Sequence, residues 1–304
     1  MLDFLRSEGV DEYMLAELED FRSRYPVNEA NTARIPSPKY RYYGREVWRK
    51  ALAALLAGEN LLLVGPKATG KNVLAENLAA VFRRPQWDVS FYLNTDAASL
   101  IGTDTFKNGE VTLRRGPIYQ CAVEGGFGVL DEINMAKNES LSVLHATLDF
   151  RRIIDVPGYE RIELSPCTRF IATMNYGYAG TREINEALAS RFMVINMPVI
   201  SASDLERLML AQFPQLKPEY ASQLAEMFQE IRKKCDSSEI STKALDLRGL
   251  LAAVHLTQEG LSLGEALDMG ILSKSFDEFE RQLVADTVAA RIDGKLGRDD
   301  IFAK

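Results

Sequence analysis

Histidine, cysteine and long apolar runs are all scarce in this chain. Only His145 and His255 are present, so a histidine-based metal centre is not expected. The three cysteines, Cys121, Cys167 and Cys235, are widely spaced and odd in number. They read as buried or incidental thiols of a reducing compartment, not as a disulfide frame or a zinc site. No apolar run approaches the roughly 20 residues that span a bilayer. The opening Met1-Leu2-Asp3-Phe4-Leu5-Arg6 lacks the basic flank and apolar stretch of a signal peptide, so the expected compartment is the cytoplasm. Basic residues are in deficit as well: 36 Lys and Arg face 43 Asp and Glu, a formal net charge of −7. That balance argues against duplex DNA as a partner, which needs a clustered basic face. It leaves nucleotide binding open, because that requires only local charge.

Apolar residues are plentiful, 46 % of 304, enough for the core of one large domain or two modest ones. The most informative stretch is residues 61–72, Leu-Leu-Leu-Val-Gly-Pro-Lys-Ala-Thr-Gly-Lys-Asn. Four apolar residues run into a glycine-bounded loop, and Val73, Leu74, Leu78 and Val81 continue at helical spacing. This is strand, loop, helix. The loop fits G-x-x-x-x-G-K-[ST] at every fixed position except the last, where Asn72 stands. Gly65 and Gly70 let the backbone wrap closely around an anion with its N–H groups inward. The helix N-terminus adds partial positive charge and Lys71 a full one. Such a P-loop holds the β- and γ-phosphates of a nucleotide.

Around this stretch the chain reads in segments. Leu15, Leu18, Phe21 and Tyr25 give residues 1–34 a helical face, expected to pack on its own domain or on a neighbouring subunit. Pro36 and Pro38 end it as a linker. The turn Tyr42-Tyr43-Gly44 has two open readings: a ring such as Tyr43 stacking on a base, or simple core and surface tyrosines. Residues 87–91 alternate like a strand, and residues 103–115 form a hairpin around Asn108-Gly109. Residues 127–131 are an apolar run that delivers Asp131 and Glu132 at its end, 60 positions after Lys71. In an α/β fold that is the crevice end of a strand. There Asp131 would meet a metal ion at the phosphates, and Glu132 would polarise a water. A strand ending in a solvated acidic turn is the alternative, and the P-loop upstream disfavours it. Leu141, Leu144 and Leu148 continue at helical spacing, which makes His145 a helix-face residue. A second hairpin covers residues 152–164 around Pro157-Gly158. Residues 170–174 are a buried strand ending at Asn175, a helix ends near Arg191, and residues 194–197 are a fifth strand. From residue 201 onward only helical segments follow. The expected division is an N-terminal extension and linker, 1–38, an α/β domain, 39–199, and a helical domain, 200–304.

Taken together, the P-loop, Leu130-Asp131-Glu132-Ile133-Asn134, Ala172-Thr173-Met174-Asn175 and Ala189-Ser190-Arg191-Phe192 resemble the motifs of AAA+ ATPases in order and spacing. The Asp-Glu-Ile-Asn string and the hairpins before and after it are similar to the MoxR-type branch. That branch includes the NorQ/CbbQ and gas-vesicle N proteins and is related to the dynein and midasin modules. The resemblance covers roughly residues 40–290. It implies a P-loop AAA+ core, α/β in class, with a five-stranded parallel sheet flanked by helices. Two β-hairpin inserts and a C-terminal all-α lid are implied as well.

The same resemblance implies roles. Gly65, Pro66, Lys67, Ala68, Thr69, Gly70, Lys71, Asn72 and Val73 would bind ATP, and Asn72 with Asp131 would hold Mg²⁺. Lys71 resembles the Walker A lysine, and Asp131 and Glu132 the Walker B pair. Asn175 resembles sensor 1, and Arg191 the arginine finger that acts on nucleotide in the next subunit. Sensor 2 falls on Arg248, with Lys243 of Ser241-Thr242-Lys243 as the other alignment. The hairpins are similar to inserts that line the pore or touch the client. The family also implies a ring, expected to be a hexamer, that remodels a protein client, often with a partner carrying a von Willebrand factor A domain. Adenine over guanine follows from the family alone. Asn72 is the main departure, because Ser or Thr normally gives its hydroxyl to Mg²⁺. Three outcomes stand open: the amide ligates the metal, the metal relies on phosphates, water and Asp131, or hydrolysis is weak. The last would make the chain a nucleotide-gated switch or scaffold. A motor on nucleic acid related to the McrB GTPases is a further alternative, against which the acidic charge counts.

Overall fold

The computed structural model describes residues 1–107, 109–156, 158–176 and 183–303. Asn108 of the first expected turn and Pro157 of the second lie outside the described residues. The chain divides into two compact units, one of Met1–Pro66 and Gly70–Pro198, the other of Lys67–Thr69 and Val199–Lys304.

The first unit holds the strands β1 (Leu61–Val64), β2 (Gln86–Ser90), β3 (Gly102–Lys107), β4 (Glu110–Arg115), β5 (Phe127–Asp131), β6 (Ile153–Ile154), β7 (Ile162–Glu163), β8 (Arg169–Met174) and β9 (Met193–Asn196). Five of them form one parallel sheet in the order β2-β5-β8-β1-β9. The central strands β1, β5 and β8 are buried almost end to end, as their largely apolar sequences require of a sheet covered on both faces, with Arg169 and Thr173 of β8 buried as well. The edge strands β2 and β9 expose more of their length. Alternation along each strand sorts side chains between two layers. Leu61, Leu63, Val129 and Ile171 pack in the layer that contains Leu74, Leu78 and Phe82 of the helix Lys71–Phe82. Leu62, Val64, Leu130, Phe170 and Ala172 pack on the other side, with Ile118 and Ala122 of the helix Pro117–Glu124. The buried Asn60 ties the sheet to its surroundings: its Oδ1 accepts from the Phe170 N–H at 2.9 Å and its Nδ2 donates to the Leu148 carbonyl at 3.0 Å.

Residues 1–34 pack on their own unit, one of the two packings expected of them, and two other expectations change on the structure. Phe4, Leu5, Leu15, Leu18 and Phe21 share one core with Trp48, Leu52 and Phe82. Arg22 Nε donates to the Val81 carbonyl at 2.7 Å, and Arg84 donates to the carbonyls of Tyr25 and Gly125 at 2.6 and 2.8 Å. Burying a large apolar side chain contributes about 1.5–3 kcal/mol, so this segment is a structural layer of the unit. The helix expected through residues 141–148 is broken into Asn138–Leu141, a 3-10 turn Ser142–Leu144 and His145–Leu148. The second hairpin is a ladder of only two pairs, Ile153 with Glu163 and Ile154 with Ile162, whereas β3 and β4 make six. The hairpins are joined by Tyr159, whose hydroxyl donates to Asp104 Oδ1 at 2.7 Å.

The second unit carries the helices Ala202–Gln212, Pro218–Asp236, Leu247–Gln258, Leu263–Gly270 and Glu278–Ala289. Two of them approach on glycine: a Cβ added at Gly249 would lie 1.9 Å from the Gly270 carbonyl oxygen. Among the described residues no helix is long and apolar enough to cross a membrane.

Candidate functional site

The loop after β1 is shaped by its glycines. Gly70 has φ 76° and opens the helix Lys71–Phe82, and a Cβ there would sit 3.2 Å from the ring of Tyr42. Both the left-handed backbone and the ring exclude a side chain. Gly65 continues the sheet, its N–H donating to the Met174 carbonyl at 3.2 Å. Lys71 is only 7 % exposed and folds back on the loop, its Nζ donating to the carbonyls of Gly65 and Pro66, each at 2.8 Å. Burial lowers its pKa from 10.5 to about 8, against the opposing pull of Asp131 and Glu132. A phosphate at this point would restore the full positive charge.

The two acids stand at the end of β5, beside β8. Leu130 is in register with Ala172. Alternation therefore puts Asp131 and Thr173 on the face covered by the helix Lys71–Phe82. Thr173 Oγ1 donates to Asp131 Oδ1 at 2.6 Å and accepts the Glu132 N–H at 3.0 Å. Asn72 Nδ2 donates to the other oxygen, Asp131 Oδ2, at 3.0 Å. Glu132 has left-handed backbone angles, φ 55° and ψ 46°. Its Oε1 accepts from Asn175 Nδ2 at 2.9 Å, and the Asn175 carbonyl accepts from Asn134 Nδ2 at 2.8 Å.

The direction of the Asn72 amide follows from chemistry. An ionised carboxylate only accepts hydrogen bonds, so Asn72 must present its nitrogen to Asp131. Its Oδ1, on an exposed side chain, meets no donor among the described residues. An amide oxygen is a suitable ligand for a hard cation. Asn72 thus divides between two atoms what a single hydroxyl does in Ser or Thr, and with Asp131 it fits a divalent ion at the phosphates.

The structure brings Gly65, Pro66, Gly70, Lys71, Asn72, Asp131, Glu132 and Asn175 to one end of the sheet. Ala68, between Lys67 and Thr69, takes φ 60° at the turn of the loop, and Val73 is half-buried in the first helical turn. Arg191 is bonded elsewhere: its Nε donates to the His145 carbonyl at 3.0 Å, its Nη1 to the Ala187 carbonyl, and its Nη2 meets Asp149 Oδ2 at 3.3 Å. Tyr43 packs edge-on to Phe4 with centroids 5.5 Å apart, so the ring beside the loop is Tyr42. Arg248 is exposed in the first turn of Leu247–Gln258, and Lys243 lies 5.8 Å over the Phe276 ring. The sequence assigned no role to Thr173 or Asp149, and it left the choice between Tyr42 and Tyr43 open. A lone hydroxyl in the buried run 170–174 was the one signal for Thr173.

Residues 60–192 match the family described as AAA domain, dynein-related subfamily. The uncharacterized protein YojN of Bacillus subtilis strain 168 is 30 % identical over 264 residues, covering 85 % of this chain and 86 % of its own. The uncharacterized protein SAB1265c of Staphylococcus aureus strain bovine RF122 / ET3-1 is 33 % identical over 255 residues, 82 % of this chain and 97 % of its own. A crystal structure from Cytophaga hutchinsonii aligns over 96 % of this chain and 98 % of its own at 14 % identity, with a TM-score of 0.45. With a P-loop at β1, two acids at the end of β5 and an asparagine just after β8, residues 60–192 carry an AAA domain of the dynein-related subfamily, and the chain as a whole belongs to one family with YojN and SAB1265c.

Proposed function

We propose that this chain is an ATP-hydrolysing AAA+ protein of the MoxR-type branch that works as a ring, a hexamer, and remodels a protein client. The observation that carries the reading is the bonded set Asn72–Asp131–Thr173–Glu132–Asn175 at the end of β5 and β8. Lys71 would bind the phosphates, and the loop from Gly65 to Val73 would cradle them. Asn72 and Asp131 would hold Mg²⁺, which supplies charge neutralisation when bound. Glu132, held by Asn175, would orient and polarise the attacking water. Arg191, whose partners are His145, Ala187 and Asp149, would act on the nucleotide of a neighbouring subunit. Arg248, in preference to Lys243, would supply a further cationic contact. The client role is supported by the first hairpin, where Phe106 and Val111 are paired across the ladder and are 77 % and 62 % exposed. A partner with a von Willebrand factor A domain belongs to the same proposal, as does a cytoplasmic setting.

Steady-state phosphate release with ATP and Mg²⁺, over a range of protein concentrations, tests this. The wild type is expected to turn over more per chain as concentration rises, and Glu132→Gln to lose turnover. Equal release by the two proteins would overturn the assignment of Glu132 and with it the enzyme reading.

A further inference from the structure

We propose that Thr173 is the positioning residue that sets both Walker B carboxylates, through one hydroxyl shared between Asp131 and Glu132. This rests on the hydrolytic reading above. Thr173 is 1 % exposed, so no water competes for its hydroxyl. A hydroxyl has one proton to give and lone pairs to accept with. Asp131 can only accept, so the proton goes to Asp131 Oδ1, at 2.6 Å, and a lone pair takes the Glu132 N–H, at 3.0 Å. The polarity of the pair is therefore fixed, and neither bond can reverse.

Each bond does separate work. The first is short and charge-assisted, and it holds the Asp131 carboxylate so that Oδ2 faces Asn72. The second secures a residue in an unfavourable conformation. Glu132 is a non-glycine residue at φ 55°, a region that L side chains avoid. Its N–H bond to Thr173 and the Asn175 bond to its Oε1 hold it on one side, and the Met135 N–H, which donates to the Glu132 carbonyl at 2.8 Å, holds it on the other. Without the hydroxyl, Asp131 loses a donor and the Glu132 N–H loses its acceptor, so the left-handed residue is held only through its carbonyl and its Asn175 bond. Both acids then move from the positions that metal and water need.

Valine is nearly isosteric with threonine, so Thr173→Val removes the hydroxyl without opening a cavity, while Thr173→Ser keeps it. The assays are phosphate release with kcat and KM for ATP, Mn²⁺ affinity of the ADP complex by EPR, and binding of a fluorescent ATP analogue in EDTA. Glu132→Gln serves as the reference for the hydrolytic reading. Thr173→Val is expected to lower kcat by about 10²-fold or more, with KM within about threefold. Mn²⁺ affinity should weaken about 10-fold or more, the usual effect of losing a group that orients a metal ligand. Thr173→Ser is expected within about threefold of the wild type on both. Retained nucleotide binding in EDTA shows that the P-loop is folded in each variant, and Thr173→Ala replaces the valine variant if that one fails to fold. Wild-type kcat and Mn²⁺ affinity in a hydroxyl-free variant would overturn the proposal. A wild type with no Glu132-dependent hydrolysis would instead sink the hydrolytic reading, and Mn²⁺ affinity would still decide whether Thr173 orders Asp131.

Discussion

Arg191 and Asp149 meet at 3.3 Å, and the carboxylate oxygen they share, Asp149 Oδ2, also accepts from Arg151 at 2.7 Å. One acid thus holds the arginine proposed to act between subunits and the arginine at the base of the second hairpin. Hydrogen bonds from Arg151, reinforced by Arg191, lower the Asp149 pKa from 3.8 to about 2. A carboxylate depressed in the folded state stabilises the fold above its unfolded pKa and loses that contribution as pH falls through the folded one. Asp149→Asn is therefore expected to lower the urea midpoint at pH 7, by more than the loss of an exposed pair worth about 0.2–1 kcal/mol, because Asp149 and Arg191 are both half-buried. The deficit should close between about pH 4 and pH 2, where the wild type loses the same interactions. A deficit that stays constant across that window would assign the effect to something other than this charge.

Arg191→Ala should separate binding from hydrolysis. None of the described partners of Arg191 belongs to the P-loop or to the acids at the end of β5. The variant is expected to bind nucleotide like the wild type and to lose about 10³-fold or more in phosphate release. Mixing it with Glu132→Gln should recover part of the activity, since subunits of the first kind keep an intact acid and those of the second an intact arginine. No recovery in the mixture would argue against action between subunits.

Lys71 gives a pH signature. Its pKa in the free chain, lowered by burial to about 8, lies below the ordinary 10.5. Keeping it charged opposes folding below about pH 8, and that opposition fades as pH rises towards the unfolded value. Phosphates favour the ammonium, so nucleotide binding above pH 8 must take up a proton, and affinity should fall as pH rises. Calorimetry at pH 9 in two buffers of different ionisation enthalpy reads the uptake directly. Equal heats in the two buffers would mean that Lys71 is already charged in the free chain.

Much of this site was legible because its parts are local. A P-loop is one contiguous string, and the burial of β1, β5 and β8 follows from their largely apolar sequences. The acids and Asn175 sit where those runs end. What escaped depends on pairing across distance. The role of Thr173 exists only because β8 lies beside β5 in a given register, 42 residues away in sequence from Asp131. The Leu15, Leu18 and Phe21 stripe announces a buried face but not its partner, which proved to be the core around Trp48 and Phe82. The tyrosine pair was ambiguous for a similar reason: adjacent residues diverge, and only the fold decides that Tyr42 meets Gly70 while Tyr43 meets Phe4.

Asn72 offers the sharpest contrast between substitutions. Its nitrogen is committed to Asp131 Oδ2 at 3.0 Å, and its oxygen is the atom left to meet a cation. Alanine removes both functions, so the Mg²⁺ concentration for half-maximal nucleotide binding should rise by about 10-fold or more. Threonine restores a single oxygen that can donate and ligate at once, and it should bring the requirement back near the wild-type value. Aspartate keeps an oxygen for the metal but sets a second carboxylate against Asp131. Like charges at this separation repel, so nucleotide binding in EDTA should weaken for Asn72→Asp and not for Asn72→Thr. Titration of a fluorescent nucleotide against Mg²⁺, with an EDTA arm, reads all three variants. If alanine matches the wild type, the metal is held by phosphates, water and Asp131 alone, and the amide at position 72 serves only to orient that acid.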